Sequence, residues 1–195
     1  MNDVFLFFKD MKRFIDIVLS TTLIIFLFIP MFLIYILVVL SSSFPAIYWS
    51  KRVGKNNKSF MMPKFRTMKK NTPEVPTHQL TKPQKWCTPI GLMLRKTSLD
   101  ELPQIWSVLV GKMSFIGPRP ALYTQVDLIA KRTDLKIHKL LPGMTGWAQV
   151  NGRDNLSDLE KISLDKYYEK NISLRLDIKI FFLTIYKVLK IEGVN

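Results

Sequence analysis

The stretch from Phe14 to Leu40, FIDIVLSTTLIIFLFIPMFLIYILVVL, is almost entirely apolar, with Asp16 its only charge and Pro30 inside it. A hydrocarbon core of ~30 Å takes about 20 helical residues, so the run is long enough to reach across a bilayer. A cleavable leader would have a shorter apolar region ending at a small-residue cleavage site, whereas this one continues to Leu40. Pro30 removes a backbone hydrogen bond and clashes with the turn before it, dividing the run into half-helices Phe14–Ile29 and Met31–Leu40. Neither half spans comfortably alone. Lys9, Lys12 and Arg13 precede the run, and Lys51, Arg52, Lys55 and Lys58 follow it. Basic flanks collect on the cytoplasmic side, so both ends favour the same face. The expectation is a re-entrant helix-break-helix hairpin over residues 1–45 that dips into one leaflet and returns. The alternative is an ordinary spanning helix bent by its proline. Asp16 is tolerable near the interface, where Arg13 lies one turn away.

Residues 46–195 suffice for one compact domain. The whole chain carries 29 Lys and Arg against 15 Asp and Glu, a formal charge of +14. Such an excess points to an anionic partner: nucleic acid, acidic lipid or a phosphorylated substrate. No nucleic-acid recognition motif is present, so nucleic acid is not expected as a partner. The single Cys87 excludes an intrachain disulfide and suits a reducing, cytoplasmic environment. Gly54, Asn56 and Asn57 read as a turn between extended segments, and Phe60 to Met68 as a strand. Four prolines between Asn71 and Pro89 make that stretch a loop. Helices are expected at Leu102–Val110, Leu122–Lys131 and Leu174–Lys190. In the last, Leu176, Ile180 and Leu183 share a face that Phe181, Phe182, Ile185 and Val188 widen. It is either buried core or an amphipathic helix in the membrane interface. The fold class is therefore α+β, mainly helical.

Between Lys51 and Val126 the cations are crowded, and the only carboxylates are Glu74, Asp100 and Glu101. A diphosphate site needs cations to hold the substrate and also a nucleophilic or metal-binding group. Ser98-Leu99-Asp100-Glu101 reads equally as a capping box, with Ser98 bonded to the Glu101 amide and no catalytic role for either acid. Pro103 weakens that reading, since it cannot supply the first regular helical hydrogen bond. In the functional reading, the surrounding cations keep both carboxylates ionised, which makes Asp100 a competent nucleophile. Neighbouring helical side chains point about 100° apart, so one acid can attack while the other holds a metal.

Four blocks occur in one order: Lys64-Phe65-Arg66-Thr67-Met68, then Leu94 to Gln104 (LRKTSLDELPQ), then Met113 to Pro120 (MSFIGPRP), then Pro142 to Arg153 (PGMTGWAQVNGR). With Lys12-Arg13-Phe14-Ile15-Asp16 at the start of the apolar run and Asp177-Ile178-Lys179 near the end, the chain resembles the bacterial sugar transferase family, the monotopic phosphoglycosyl transferases. That resemblance implies transfer of a sugar 1-phosphate from a UDP-sugar donor to polyprenyl (undecaprenyl) phosphate. It also implies a covalent intermediate on Asp100, release of UMP, and Mg²⁺ held by Glu101 with Asp100. It places a membrane-associated catalytic domain, residues 46–195, on the cytoplasmic face of the bacterial inner membrane, in contact with its lipid.

Lys64, Arg66, Arg95 and Arg119 are the candidates for holding phosphates and nucleotide, because guanidinium groups give bidentate contacts and lysine a compact charge. Arg153 and Asp165 are further candidates, with pairing in the core the alternative. Gly143, Gly146 and Gly152 serve backbone geometry, and Trp147 packing. The chain departs from the family pattern at Ile29, where many relatives carry Ser before the proline. It departs again at Ser50-Lys51-Arg52-Val53-Gly54, which lacks a Gln but keeps Arg52 and Gly54. With one anchor the chain resembles the minimal catalytic form, and a homodimer stays open. Two rivals stand beside this reading: a membrane-attached phosphohydrolase that uses the same aspartate, and a basic module with no enzymatic role.

Overall fold

A computed structural model describes residues 2–42, 45–73, 82–152 and 156–190. The chain opens with α1 (Asn2–Ser42), a single helix with Pro30 inside it, where a break between two half-helices was expected. At a rise of 1.5 Å per residue, it amounts to about 60 Å of helix. Apolar side chains on both sides of the proline favour an environment in which backbone groups must pair within their own segment, so one missing N–H does not end the helix. The Phe8–Ser41 part is long and apolar enough to cross a membrane. Ile25, Phe26, Phe28, Ile29, Phe32 and Leu33 in its middle are exposed.

Both halves of α1 nevertheless touch the rest of the chain. Toward its start, Lys12 pairs with Asp177, and Arg13 donates to the carbonyls of Val108 and Leu109 at 2.6 and 2.7 Å. Asp16 accepts from the backbone N–H of Phe115 at 3.1 Å, so Arg13 and Asp16, expected to face each other one turn apart, are each engaged in tertiary contacts. Beyond Pro30, Met31, Ile34, Tyr35 and Val39 pack around a core of Val38, Ala46, Phe65 and Leu94. Each such side chain fully removed from water contributes about 1.5–3 kcal/mol.

Strands β1 (Ile47–Val53) and β2 (Ser59–Phe65) form an antiparallel hairpin, with Ser50 opposite Met62 and Arg52 opposite Phe60. The turn expected between them is present, carried by Asn56 and Asn57 in left-handed conformations at φ 55° and 58°. Asparagine tolerates that region better than most residues. Helix α2 (Pro89–Thr97) follows, then a 3₁₀ helix at Leu99–Gln104 and α3 (Ile105–Leu109). The expected Leu102–Val110 helix is thus divided, with Pro103 inside the tighter segment.

Strand β3 (Ser114–Ile116) pairs in parallel with β5 (Gly143–Thr145), while β4 (Ala121–Leu122) extends the hairpin in the order β2-β1-β4. A Cβ on Gly143 would lie 2.1 Å from the Gly117 nitrogen, so only glycine permits that backbone approach. Helix α4 (Val126–Asp134) starts later than the Leu122–Lys131 expected, because Leu122 belongs to β4 and its N–H is taken by the Gln125 side chain. Helices α5 (Trp147–Asn151), α6 (Asp158–Lys170) and α7 (Leu174–Lys190) complete the described chain. The span of α7 matches its expected range, and one of its faces is buried while the other is exposed. Ile180, Leu176 and Leu183 join a core with Ile116, Val150 and Tyr168, whereas Phe182, Tyr186 and Leu189 are exposed.

Candidate active site

The acidic pair sits where three local features converge. Thr88 caps α2 by accepting from the Gly91 N–H at 3.0 Å, with Pro89 in the first turn. Gly91 lets α2 press onto the extension of β2, since a Cβ there would come within 2.1 Å of the Thr67 carbonyl oxygen. Ser98 then ends α2 in a left-handed conformation (φ 59°, ψ 13°) and redirects the chain into the 3₁₀ segment. The capping box expected as the alternative at Ser98 does not form: its carbonyl, not its hydroxyl, accepts from the Glu101 N–H at 3.2 Å.

This turn brings Glu101 against β2. Its Oε1 accepts from Lys64 Nζ at 2.8 Å and Arg119 Nη2 at 2.6 Å, and its Oε2 from Arg119 Nη1 at 3.4 Å. Burial pushes the Glu101 carboxyl up, but the charges of Arg119 and Lys64 and the hydrogen bonds they donate outweigh it. They hold the group well below the usual carboxylate range. Asp100 is 7% exposed, and burial raises its carboxyl, with the Glu101 charge adding to that effect and Lys64, Arg95 and Arg119 opposing it. The two acids are therefore split: Glu101 is the firm anion, and Asp100 is the buried group whose charge is dearly held. Burial likewise lowers Lys64.

Arg119 comes from the Gly117–Pro120 turn after β3, and its carbonyl accepts from Arg132 Nη1 at 2.8 Å. Arg132 also pairs with Asp165, which is 1% exposed, so Asp165 adopts the core pairing that was its alternative. Arg52 on β1 donates to Ser50 Oγ at 3.0 Å and to the Pro120 carbonyl at 3.2 Å. Burial, with the nearby Arg119 charge, pushes Arg52 down to about 10.

These groups line a cleft of about 400 Å³ that brings together Asp100, Glu101, Lys64, Arg66, Arg95 and Arg119. Arg66 also donates to the Pro45 carbonyl at 2.8 Å and lies over the Tyr48 ring. Arg153 lies outside the described residues. Four further cleft residues, Arg52, Arg132, Gln149 and Lys161, were not among the candidates. Arg52 and Gln149 lie in quoted sequence blocks that could have flagged them. Arg132 and Lys161 carry no local signal, because only the packing of α4 and α6 turns them inward. Among the described residues, no three of His, Cys, Asp and Glu cluster as a metal site. Asp100 and Glu101 are the cleft's two carboxylates among the described residues, and Glu101 Oε2, with one long contact, keeps acceptor capacity.

A cation-lined cleft thus closes on two adjacent acids in a chain that also carries a helix long and apolar enough to cross a membrane. The chain belongs to the bacterial sugar transferase family, whose signature matches residues 7–191. It is 39% identical over 200 residues to the UDP-galactose-lipid carrier transferase of Erwinia amylovora, an alignment covering 95% of this chain and 42% of that protein. It is 39% identical over 184 residues to the UDP-glucose:undecaprenyl-phosphate glucose-1-phosphate transferase of Escherichia coli (strain K12), covering 91% and 40%. The uncharacterized sugar transferase EpsL of Bacillus subtilis (strain 168) is 41% identical over 152 residues, covering 77% and 73%. The chain thus spans about two fifths of the length of the first two relatives.

Proposed function

We propose that this protein transfers a sugar 1-phosphate from a UDP-sugar to a polyprenyl phosphate such as undecaprenyl phosphate, in two steps through Asp100. The observation that carries this reading is the position of Asp100: a buried carboxylate opening on a cleft ringed by Arg52, Lys64, Arg66, Arg95 and Arg119. In the first step a carboxylate oxygen of Asp100 forms a bond to the β-phosphorus. The bond from that phosphorus to the bridging oxygen breaks, and UMP departs with the electron pair. In the second step a phosphate oxygen of the polyprenyl phosphate bonds to the same phosphorus, and the aspartyl oxygen leaves as carboxylate. The product is a lipid-linked diphosphate sugar, the first intermediate of a glycan built on lipid.

Desolvation suits the first step, because an anion stripped of water is the better nucleophile. The cations offset repulsion between Asp100 and the diphosphate and stabilise charge on the phosphoryl oxygens. Glu101, an anion whose charge theirs offsets, holds Lys64 and Arg119 in place. A Mg²⁺ ion is expected to rest on Glu101 and Asp100 together with substrate oxygens, where it would neutralise phosphate charge; magnesium commonly takes only one or two protein carboxylates.

We further propose that α1 bends at Pro30 without losing its helical character, so that it enters and leaves the cytoplasmic leaflet of the inner membrane from the same side. What supports this is that Lys12, Arg13 and Asp16 from one half, and Ile34, Tyr35 and Val38 from the other, pack on one body of protein. A spanning helix would separate its ends by ~30 Å of hydrocarbon. Cysteines placed by Asp10→Cys and Lys58→Cys, each in a Cys87→Ala background, are expected to resist an impermeant maleimide applied to the outer face of the inner membrane. Labelling of one alone would overturn the re-entrant arrangement.

The activity is tested by incubating the membrane-embedded protein with a panel of UDP-sugars and Mg²⁺ and seeking a phosphosugar mass on Asp100. The expected result is an adduct that polyprenyl phosphate discharges. Continued UMP formation beyond one equivalent per enzyme in the absence of polyprenyl phosphate would favour hydrolysis instead.

A further inference from the structure

Glu101 and the surrounding cations account for one wall of the cleft. The cleft is also lined by Leu122 of β4, Leu128 of α4, and Ala148 and Gln149 of α5, with Arg132 and Lys161 beside them. Gln149 is 9% exposed, and among the described residues neither its Oε1 nor its Nε2 has a hydrogen-bond partner. A buried amide left unpaired costs free energy, so an orphaned donor and acceptor on one side chain that lines a cavity are an unusual feature of a fold. A phosphate does not answer it, because Oε1 would face an anion. The complement is a neutral edge carrying an acceptor beside a donor, on a flat ring whose faces suit the apolar side chains nearby.

We propose that Gln149 reads the imide edge of the uracil base of the donor, accepting from N3–H through Oε1 and donating to a ring carbonyl through Nε2. This inference rests on the UDP-sugar reading and adds to it the residue that recognises the base. It divides the cleft by task. The cationic wall takes the diphosphate, and Gln149 fixes the nucleoside so that the β-phosphorus is presented to Asp100. Gln149 is a specificity residue, remote from the bonds that change.

The test uses the full chain in lipid nanodiscs and measures binding of UMP, N3-methyl-UMP and ribose 5-phosphate to wild type, Gln149→Leu and the near-isosteric Gln149→Glu. Wild type is expected to prefer UMP over N3-methyl-UMP by about ten-fold or more, the discrimination typical of a two-bond base contact. Gln149→Leu is expected to bind UMP about ten-fold less tightly, to lose the distinction between the two nucleotides, and to keep its affinity for ribose 5-phosphate. Gln149→Glu, with no donor, should also weaken UMP and spare ribose 5-phosphate. A Gln149→Leu protein that still discriminates as wild type does overturns the role of Gln149 and leaves the donor reading standing. Equal loss of all three ligands in both variants overturns it too, as the mark of a merely structural residue. Wild type that does not bind UMP overturns the donor reading and this inference together.

Discussion

Two carboxylates of this protein, one buried and one half-buried, are each gripped by a lysine and a second donor, and they are put to different ends. Asp177, at the junction between α1 and α7, takes Lys12 and the Tyr168 hydroxyl, the latter at 2.7 Å. Burial and the Asp177 charge push the Tyr168 phenol far above its ordinary value, so it stays a donor. Glu101 takes Lys64 and Arg119, but it stands beside a second acid and at the edge of the cleft. The first cluster is closed and fastens the anchor. The second leaves its cations within reach of Asp100 and of any anion that enters. Equivalent ion pairs thus serve attachment or chemistry according to what lies next to them.

The largest effect is expected at the acid that has no counterpart in the closed cluster. Asp100→Asn should slow sugar-phosphate transfer by at least about 10³-fold, as loss of a nucleophile does. Its thermal stability should equal or exceed wild type at neutral pH. The folded carboxyl lies above its ordinary 3.8, so ionisation opposes folding at pH values above the folded one, and the amide removes that penalty. Wild-type transfer rates from this variant would rule out covalent catalysis on Asp100.

Glu101→Gln should cost both function and about 3 kcal/mol of stability, since Lys64 and Arg119 would lose their counter-charge. The wild-type carboxyl lies well below its ordinary 4.5, so its stabilisation is complete above that value and is lost only as pH falls through the lower folded one. Melting curves of the two proteins should therefore stay a constant distance apart down to about pH 5 and converge in stronger acid. Lys12→Met is expected to cost about as much stability, roughly 3 kcal/mol, while activity per folded molecule stays within about two-fold. Adding Asp177→Leu should restore much of that loss, which a double-mutant cycle on melting temperature would show. A large drop in specific activity would mean that the junction does more than fasten.

The subtlest expectation concerns Arg95, whose charge helps keep Asp100 ionised. Arg95→Gln should move the acid limb of the kcat/KM profile to higher pH, because the Asp100 carboxyl would then rise further. An unmoved limb would assign that limb to another group.

The pattern Ser-x-x-Glu shows where sequence reading reaches its limit. It occurs at Ser98–Glu101 and again at Ser157–Glu160. Only the second forms a capping box, with Ser157 Oγ accepting from the Glu160 N–H and the Glu160 side chain accepting from the Ser157 N–H. It was the available signal for α6, which was not among the expected helices. At Ser98 the same residues close one helix and enter a 3₁₀ segment that contains Pro103, so the local pattern is overridden by what surrounds it. The hairpin turn at Asn56 and Asn57 and the extent of α7 were legible because turn chemistry and apolar periodicity are properties of neighbouring residues.

The order of residues alone determined the membrane-seeking helix, the concentration of cations and the adjacency of Asp100 and Glu101, since composition and short-range spacing carry these. Tertiary structure decided that Lys64 and Arg119 converge on Glu101 from different elements, that Arg52, Arg132 and Gln149 face the same volume, and that both halves of α1 meet one body. Charge and hydropathy are written residue by residue, whereas distances between remote residues exist only once packing has excluded every other arrangement.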